Sequence, residues 1–255
     1  MPTPFALPCP RMNIVLFEAS EINQILPASD ERAVHILEVL RRDIGDTFDA
    51  GIIDGPRGKG VLVKSGSDGL ELEFSWDDTP PPSLHPIDLL VGLSRPQTNR
   101  KILQEATTLG VRSMKFVNTK RGEASYARSR LWSTGEWRRH LVAGAAQAFT
   151  TRLPEVTFGK GLEQSVEPTP PGALCIAFDN YESPHGLAEY LSPPEERSRE
   201  VVLTFGSERG WTAVERDLLR SAGFLFAHLG ERPLRTETAV VAAIAIVTAL
   251  TRPEE

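Results

Sequence analysis

Hydrophobic and polar positions along the chain change character near residue 80. Before that point short apolar runs are broken by turn residues. Asn13–Phe17 is β-like, and Ser29-Asp30-Glu31 opens a helix with Ala33, Ile36, Leu37 and Leu40 at helical spacing. Gly45–Asp54 and Gly60–Trp76 read as strands, with a hairpin turn at Gly66-Ser67-Asp68-Gly69. Leu70–Phe74 alternates apolar and acidic residues, as a strand with one wet face does. Residues 12–76 therefore predict a small β module with one helix.

Thr79-Pro80-Pro81-Pro82 cannot sit inside helix or sheet, so it predicts a stiff linker between two domains. Beyond it, buried-type strands alternate with helices. Ile87–Leu93 is a strand fit for burial on both faces. A helix follows, capped by Thr98 or Asn99, striped by Ile102, Leu103, Ala106 and Leu109, and stopped by Gly110. Ser113–Asn118 is the second strand, Ser133–Thr150 a helix, Glu163–Gly172 a loop, and Ala173–Phe178 the third strand. Asp179 after it has two readings, a turn cap and a ribose ligand; the cap is preferred. Ser192–Glu200 is a charged loop. Val201–Phe205 then breaks into a Gly-bounded loop, and Thr212 and Glu215 stand at capping-box spacing. That helix ends near Gly223, Phe224–Leu229 is another strand, and Ala239–Leu250 is an apolar helix capped by Thr236 or Thr238. A β module joined to an α/β domain is the fold class these elements predict.

Composition is that of an ordinary globular chain: 255 residues, 40% hydrophobic, 24% charged. No apolar run reaches the ~20 residues of a membrane helix, and the N-terminal MPTPFALPCP lacks the basic start of a secretory signal. Residues 1–11 read as a tail. Cys9 and Cys175 make no disulfide framework, and the five histidines are scattered, so no metal site is expected. Net charge is −6, but residues 80–160 hold 13 basic and 5 acidic side chains. A basic third on an acidic background predicts a localised anion-binding face. Neither a G-x-G-x-x-G nor a phosphate-loop signature is present.

Two loops carry the candidate chemistry. Both lie at the carboxyl ends of strands, where open α/β sheets bind ligands. One is FGSERG, Phe205–Gly210. The other is LGERPLRTETA, Leu229–Ala239, with Arg232 and Arg235 just before a helix N-terminus. The helix dipole favours an anion there, so the arginines need partners. A salt bridge to Glu237 and a ligand site are the two readings local chemistry leaves open.

LGERPLRTETA resembles the signature loop of the 16S rRNA uracil-N3 methyltransferases, a branch of the SPOUT superfamily of knotted methyltransferases. FGSERG falls where that family has Gly-Pro-Glu-Gly-Gly, with Ser207 for the proline and Arg209 for a glycine. RAVHILEVLR, residues 32–41, is similar to the family's R-x-x-H-(I/L)-x-x-V-L-R. Gln147, Arg152 and Pro154 align with the end of its target-nucleotide helix, while Ala146 and Thr150 depart from glutamate and arginine. The resemblance covers nearly the whole chain. It implies a PUA-like N-terminal β-barrel domain over 12–78, a linker over 79–86, and a SPOUT domain over 87–255 with a C-terminal trefoil knot.

It further implies a cytoplasmic, homodimeric enzyme, paired through its C-terminal domain, that uses S-adenosyl-L-methionine and acts on small-subunit ribosomal RNA. Arg235 and Glu237 are the catalytic candidates. Thr204, Phe205, Gly206, Ser207, Glu208, Gly210, Leu229, Gly230, Leu234, Arg235, Thr236 and Thr238 are those for the cofactor. Arg32, His35, Arg41, Arg95, Lys120, Arg121, Arg138, Arg139, Gln147 and Arg152 are those for RNA. No membrane or metal is implied. Glu237 is expected to orient Arg235 or to take the N3 proton, and Arg209 either narrows the cofactor loop or points outward. The alternatives are a non-catalytic RNA- or cofactor-binding paralogue and a related enzyme acting on a different RNA.

Overall fold

The computed structural model describes residues 13–166, 172–192 and 200–251; Cys9, the N-terminal tail and most of the two loops expected around Glu163–Gly172 and Ser192–Glu200 lie partly or wholly outside these. The described residues form two compact units. The first runs to Ser83 and includes Ala145–Leu153; the second comprises Leu84–Gly144 and the chain from Pro154 onward.

In the first unit four strands form one sheet, in the order β1 (Val15–Phe17), β2 (Thr47–Ile52), β3 (Arg57–Gly66), β4 (Gly69–Trp76). β1 runs parallel to β2, and the other pairs are antiparallel. Helix α1 (Glu31–Val34) starts where Asp30 accepts the Arg32 backbone N–H at 2.8 Å. It passes into a π-helical turn, His35–Val39. The wider turn rotates the predicted apolar stripe. Ala33 and Ile36 reach the core with Phe17, Phe48 and Leu62, whereas Leu37 is left exposed. Thr151 is buried in this unit, its hydroxyl donating to the Gly55 carbonyl at 2.6 Å.

The second unit is built on a seven-stranded parallel sheet. Its strands in chain order are β5 (His85–Gly92), β6 (Val111–Asn118), β7 (Glu155–Gly161), β8 (Leu174–Phe178), β9 (His185–Gly186), β10 (Val201–Phe205) and β11 (Leu225–His228). In space they run β7-β6-β5-β10-β8-β11-β9. β10 thus sits between β5 and β8, with Val201 in register with both Ile87 and Leu174. All five β10 residues are buried, as a central parallel strand requires. The helices are α2 (Pro96–Thr108), α3 (Arg130–Ser133), α4 (Glu136–Gln147), α5 (Leu187–Tyr190), α6 (Ala213–Ser221) and α7 (Thr236–Leu250), with α2 packing on α7.

Three predicted boundaries are corrected. α2 begins one turn early, because Arg95 takes the cap position and Pro96 is preorganised for the first turn. Asn99 is buried there instead, bonding the Ser94 carbonyl at 2.9 Å. The helix expected over Ser133–Thr150 is shorter, Glu136–Gln147, because Gly135 adopts φ +74° and separates it from α3. Neither Thr236 nor Thr238 caps α7; Arg235 occupies the cap, without a side-chain bond. The Thr212–Glu215 capping box forms as expected, with Glu215 accepting the Thr212 N–H at 2.8 Å. Among the described residues no helix is long and apolar enough to cross a membrane.

Candidate active site

Because the strands are parallel, the loops that leave β8, β10 and β11 emerge at one edge of the sheet. They enclose a cavity of about 290 Å³. Phe178 and Phe205, the last residues of β8 and β10, stack with centroids 4.6 Å apart and planes 14° from parallel. They form an apolar wall with Ala227, Leu229 and Leu234.

Each loop is held by a different device. After β8, the Asp179 carboxylate accepts the backbone N–H groups of Tyr181 (2.6 Å) and Glu182 (2.9 Å), and its other oxygen pairs with buried Arg216 at 2.7 Å. Asp179 is therefore a turn cap. After β10, Gly206–Gly210 closes on itself through the Gly210 N–H to the Ser207 carbonyl, 2.8 Å. Gly206 has no room for a side chain: a Cβ there meets the Gly210 Cα at 2.9 Å. Glu208 Oε1 accepts the Arg95 N–H at 2.8 Å, and the Arg121 guanidinium donates to the Arg209 carbonyl at 2.9 Å. After β11, the His228 Nδ1 accepts the Gly230 N–H at 3.1 Å, which places that ring's proton on Nε2.

The cavity suits a ligand with a flat apolar part and polar edges. It offers a stacked aromatic wall and loop backbone that only glycine leaves open, since Gly210 adopts φ +66° with nothing in front of its Cβ position.

Comparison with known proteins places this geometry. Residues 80–248 match the RNA methyltransferase domain family. The ribosomal RNA small subunit methyltransferase E of Treponema pallidum (strain Nichols) is 34% identical over 247 residues, covering 93% of this chain and 91% of that one. This chain belongs to the ribosomal RNA small subunit methyltransferase E family. The Borreliella burgdorferi protein named ribosomal RNA small subunit methyltransferase E 1 is 28% identical over 93% of this chain and 98% of its own. A crystal structure of the Neisseria gonorrhoeae methyltransferase E, bound to S-adenosyl methionine, is 25% identical and covers 94% of this chain and 98% of its own with a TM-score of 0.74. The two-domain α/β architecture, a small curled sheet and a larger parallel one of SPOUT type, is the family's.

Of the cofactor candidates, Phe205, Gly206, Ser207, Glu208, Gly210, Leu229, Leu234 and Thr236 line the cavity. Thr204, Gly230, Arg235 and Thr238 do not. Thr204 is fully buried in β10, while Arg235 and Thr238 are exposed at the start of α7. Phe178, Tyr181, Ala227 and His228 line it without having been singled out in the sequence. The signal for Phe178 was its place as the last apolar residue before a polar loop.

Glu237 does not pair with either arginine of its loop; its carboxylate meets Lys101 Nζ at 3.3 Å. Arg235 is exposed and makes no side-chain bond among the described residues. The Arg209 side chain is 72% exposed, 3.7 Å from Glu123, so it points outward rather than into the loop.

Among the RNA candidates of the second unit, Arg95, Lys120, Arg121, Arg138 and Arg139 are all exposed. In the first unit Arg41 and Gln147 are exposed, and His35 and Arg152 are half-buried. Arg32 is different. Its five N–H groups go to Asp30 (3.0 and 2.8 Å), Glu21 (2.7 and 2.9 Å) and the Leu16 carbonyl (3.2 Å). This leaves no donor for a phosphate. The Glu21 and Asp30 carboxyls are held below their usual range by the hydrogen bonds from Arg32. Arg32 organises the first unit and is withdrawn from the RNA set.

Proposed function

We propose that this protein transfers the methyl group of S-adenosylmethionine to N3 of a uridine in small-subunit (16S) ribosomal RNA, in the cytoplasm. The observation that carries this reading is the stacked Phe178–Phe205 wall, closed by two glycine-bearing loops, in a chain of the methyltransferase E family. Bound in the cavity, S-adenosylmethionine supplies an electrophilic methyl on its sulfonium. Phe178, Phe205 and Leu229 would hold its adenosine, and the Gly206–Gly210 backbone would offer it polar groups at close range. Arg235, exposed beside the cavity, would offset the negative charge that develops on the uracil as the N3 proton passes to water and the methyl leaves sulfur, giving neutral S-adenosylhomocysteine. Arginine suits that role because it stays charged. Lys101 keeps Glu237 from neutralising it.

The finer architecture belongs to the same proposal: a PUA-like domain over 12–78, a linker over 79–86 and a methyltransferase domain over 87–255. A trefoil knot is formed by the segment from β10 to α7. The insertion of β10 between two earlier strands and the packing of α7 back on α2 support it. A homodimer forms through α7, whose buried face is Val240, Ala243, Ile244 and Val247 while Val241 and Ile246 on other faces stay half-exposed.

The test is titration calorimetry with S-adenosylmethionine, followed by transfer of a labelled methyl to 16S rRNA and to total tRNA. Methylation of 16S rRNA, with reverse transcription stopping at one uridine, is expected. Cofactor binding with label entering tRNA alone would move the substrate, and no cofactor binding by the folded dimer would remove the activity.

A further inference from the structure

The outer edge of the second unit's sheet carries aromatic side chains that the methyl-transfer site does not use. Most β7 residues are exposed, and Phe158 among them is 38% exposed. Its ring is fixed from behind. It stacks on Trp132 at 4.7 Å and 28°, meets Trp137 edge-on at 6.4 Å, and Trp132 packs in turn on Phe116 at 4.9 Å.

Two arginines stand beside this group along the chain. Arg130 lies on the same one-turn helix as Trp132, and Arg128 lies one turn earlier. Both are exposed, with no side-chain ion pair among the described residues. Glu136 pairs with Arg100 at 2.6 Å and faces His140 at 3.5 Å, and Glu155 is exposed at the start of β7.

We propose that Phe158 and Trp137, flanked by Arg128 and Arg130, form a stacking platform for single-stranded RNA. The platform rests on the RNA substrate proposed above. It lies three strands from β10, roughly 15 Å from the cavity at ordinary strand spacing. It therefore grips RNA flanking the target rather than the target itself. Rigid aromatic faces beside exposed guanidinium groups, here Arg128 and Arg130, are what sequence-tolerant RNA binding needs. A peptide strand adding to β7 is a poorer fit, because the ladder shifts register between Phe116 and Asn118 and Gly159 adopts φ +89°.

The test uses the full chain, a fluorescein-labelled single-stranded oligouridylate and a 16S rRNA transcript, with S-adenosylhomocysteine calorimetry as the control. Phe158→Leu keeps the packing but removes the stacking face. It is expected to weaken oligouridylate binding about tenfold and to leave S-adenosylhomocysteine affinity unchanged. Phe158→Trp is expected to retain binding. Arg128→Glu with Arg130→Glu is expected to flatten the salt dependence. Wild-type binding by Phe158→Leu overturns the platform alone, as does a wild-type protein that binds the transcript but not oligouridylate. Failure to bind either RNA removes the RNA substrate together with the platform.

Discussion

Glu237 is held by Lys101 across 3.3 Å, from the first turn of α7 to α2, although two arginines precede it within five residues of chain. The helix turns Glu237 towards its neighbour, and Arg235, at the cap, is left facing solvent. Arg235→Ala is therefore expected to lower methyl transfer at least about 100-fold, the scale of losing one transition-state charge partner. Its thermal midpoint should stay near the wild-type value. Wild-type turnover in this variant would remove Arg235 from the mechanism.

Glu208 ties the cavity loop to the start of α2 through the Arg95 N–H at 2.8 Å. Glu208→Ala removes a charge-assisted bond of about 1.5–3 kcal/mol, but part of that loss is restored by water at this exposed N–H. We expect S-adenosylmethionine affinity to fall several-fold by calorimetry, with the far-ultraviolet circular dichroism unchanged. Undiminished affinity would show that the loop holds its shape without the tie.

Gly92 ends β5 directly beneath the same loop. A Cβ at this position meets the Ser207 backbone nitrogen at 2.5 Å and the Gly206 carbonyl carbon at 2.9 Å. Backbone atoms cannot swing aside as a side-chain tip can. Gly92→Ala is expected to lower the thermal midpoint and to abolish cofactor binding, whereas Gly66→Ala, with nothing within 4 Å, should change neither.

Arg32, Glu21 and Asp30 make the first unit acid-sensitive. Hydrogen bonds from Arg32 depress both carboxyl pKa values below 4.5 for Glu21 and 3.8 for Asp30, the values they have when unperturbed. A depressed folded-state pKa contributes stability that is full above the unfolded value and is lost as pH falls through the folded one. The urea midpoint of the wild-type protein should therefore drop below about pH 4.5. Arg32→Met should be less stable by about 1–3 kcal/mol at pH 7, towards the lower end because the pairs are partly exposed. Its acid limb should also be flatter. An unchanged limb would show that other carboxylates set it.

Arg95 and Lys120 present exposed cationic side chains from the loops after β5 and β6, while their backbone N–H groups hold Glu208 and Glu215. Arg95→Glu with Lys120→Glu leaves those backbone bonds in place. RNA affinity should fall, and the slope of log affinity against log salt should decrease by about two, one for each phosphate no longer neutralised. Filter binding to a 16S rRNA transcript over a salt series measures it. An unchanged slope would mark both as solvated surface.

Some of this was legible in the residues and some was not. β10 and β5 were readable because a strand buried on both faces writes a continuous apolar run. β7 was not, because an exposed edge strand of mixed polarity carries no period that distinguishes it from a loop. The Thr212–Glu215 box was readable because both partners lie within one helical turn. The α7 cap was misplaced because Arg235, whose side chain plays no part in it, fills the position by backbone geometry alone.

By itself, then, the sequence determined what depends on neighbours along the chain: the alternation of strands and helices, the glycine loops, the signature around Arg235 and the family they mark. It also placed a basic third within an acidic whole. Only the tertiary structure decided what depends on groups far apart in number. It set β10 between β5 and β8, brought Phe178 against Phe205, gave Glu237 to Lys101, and committed all five Arg32 donors inside the first unit. The physical reason is that a side chain's charge and shape are local properties, whereas its partner is chosen by packing. As residues in a chain, Arg32 and Arg235 are both simply cations. Only the fold says that one is consumed by Glu21 and Asp30 while the other stands exposed beside the cavity, with no side-chain bond among the described residues.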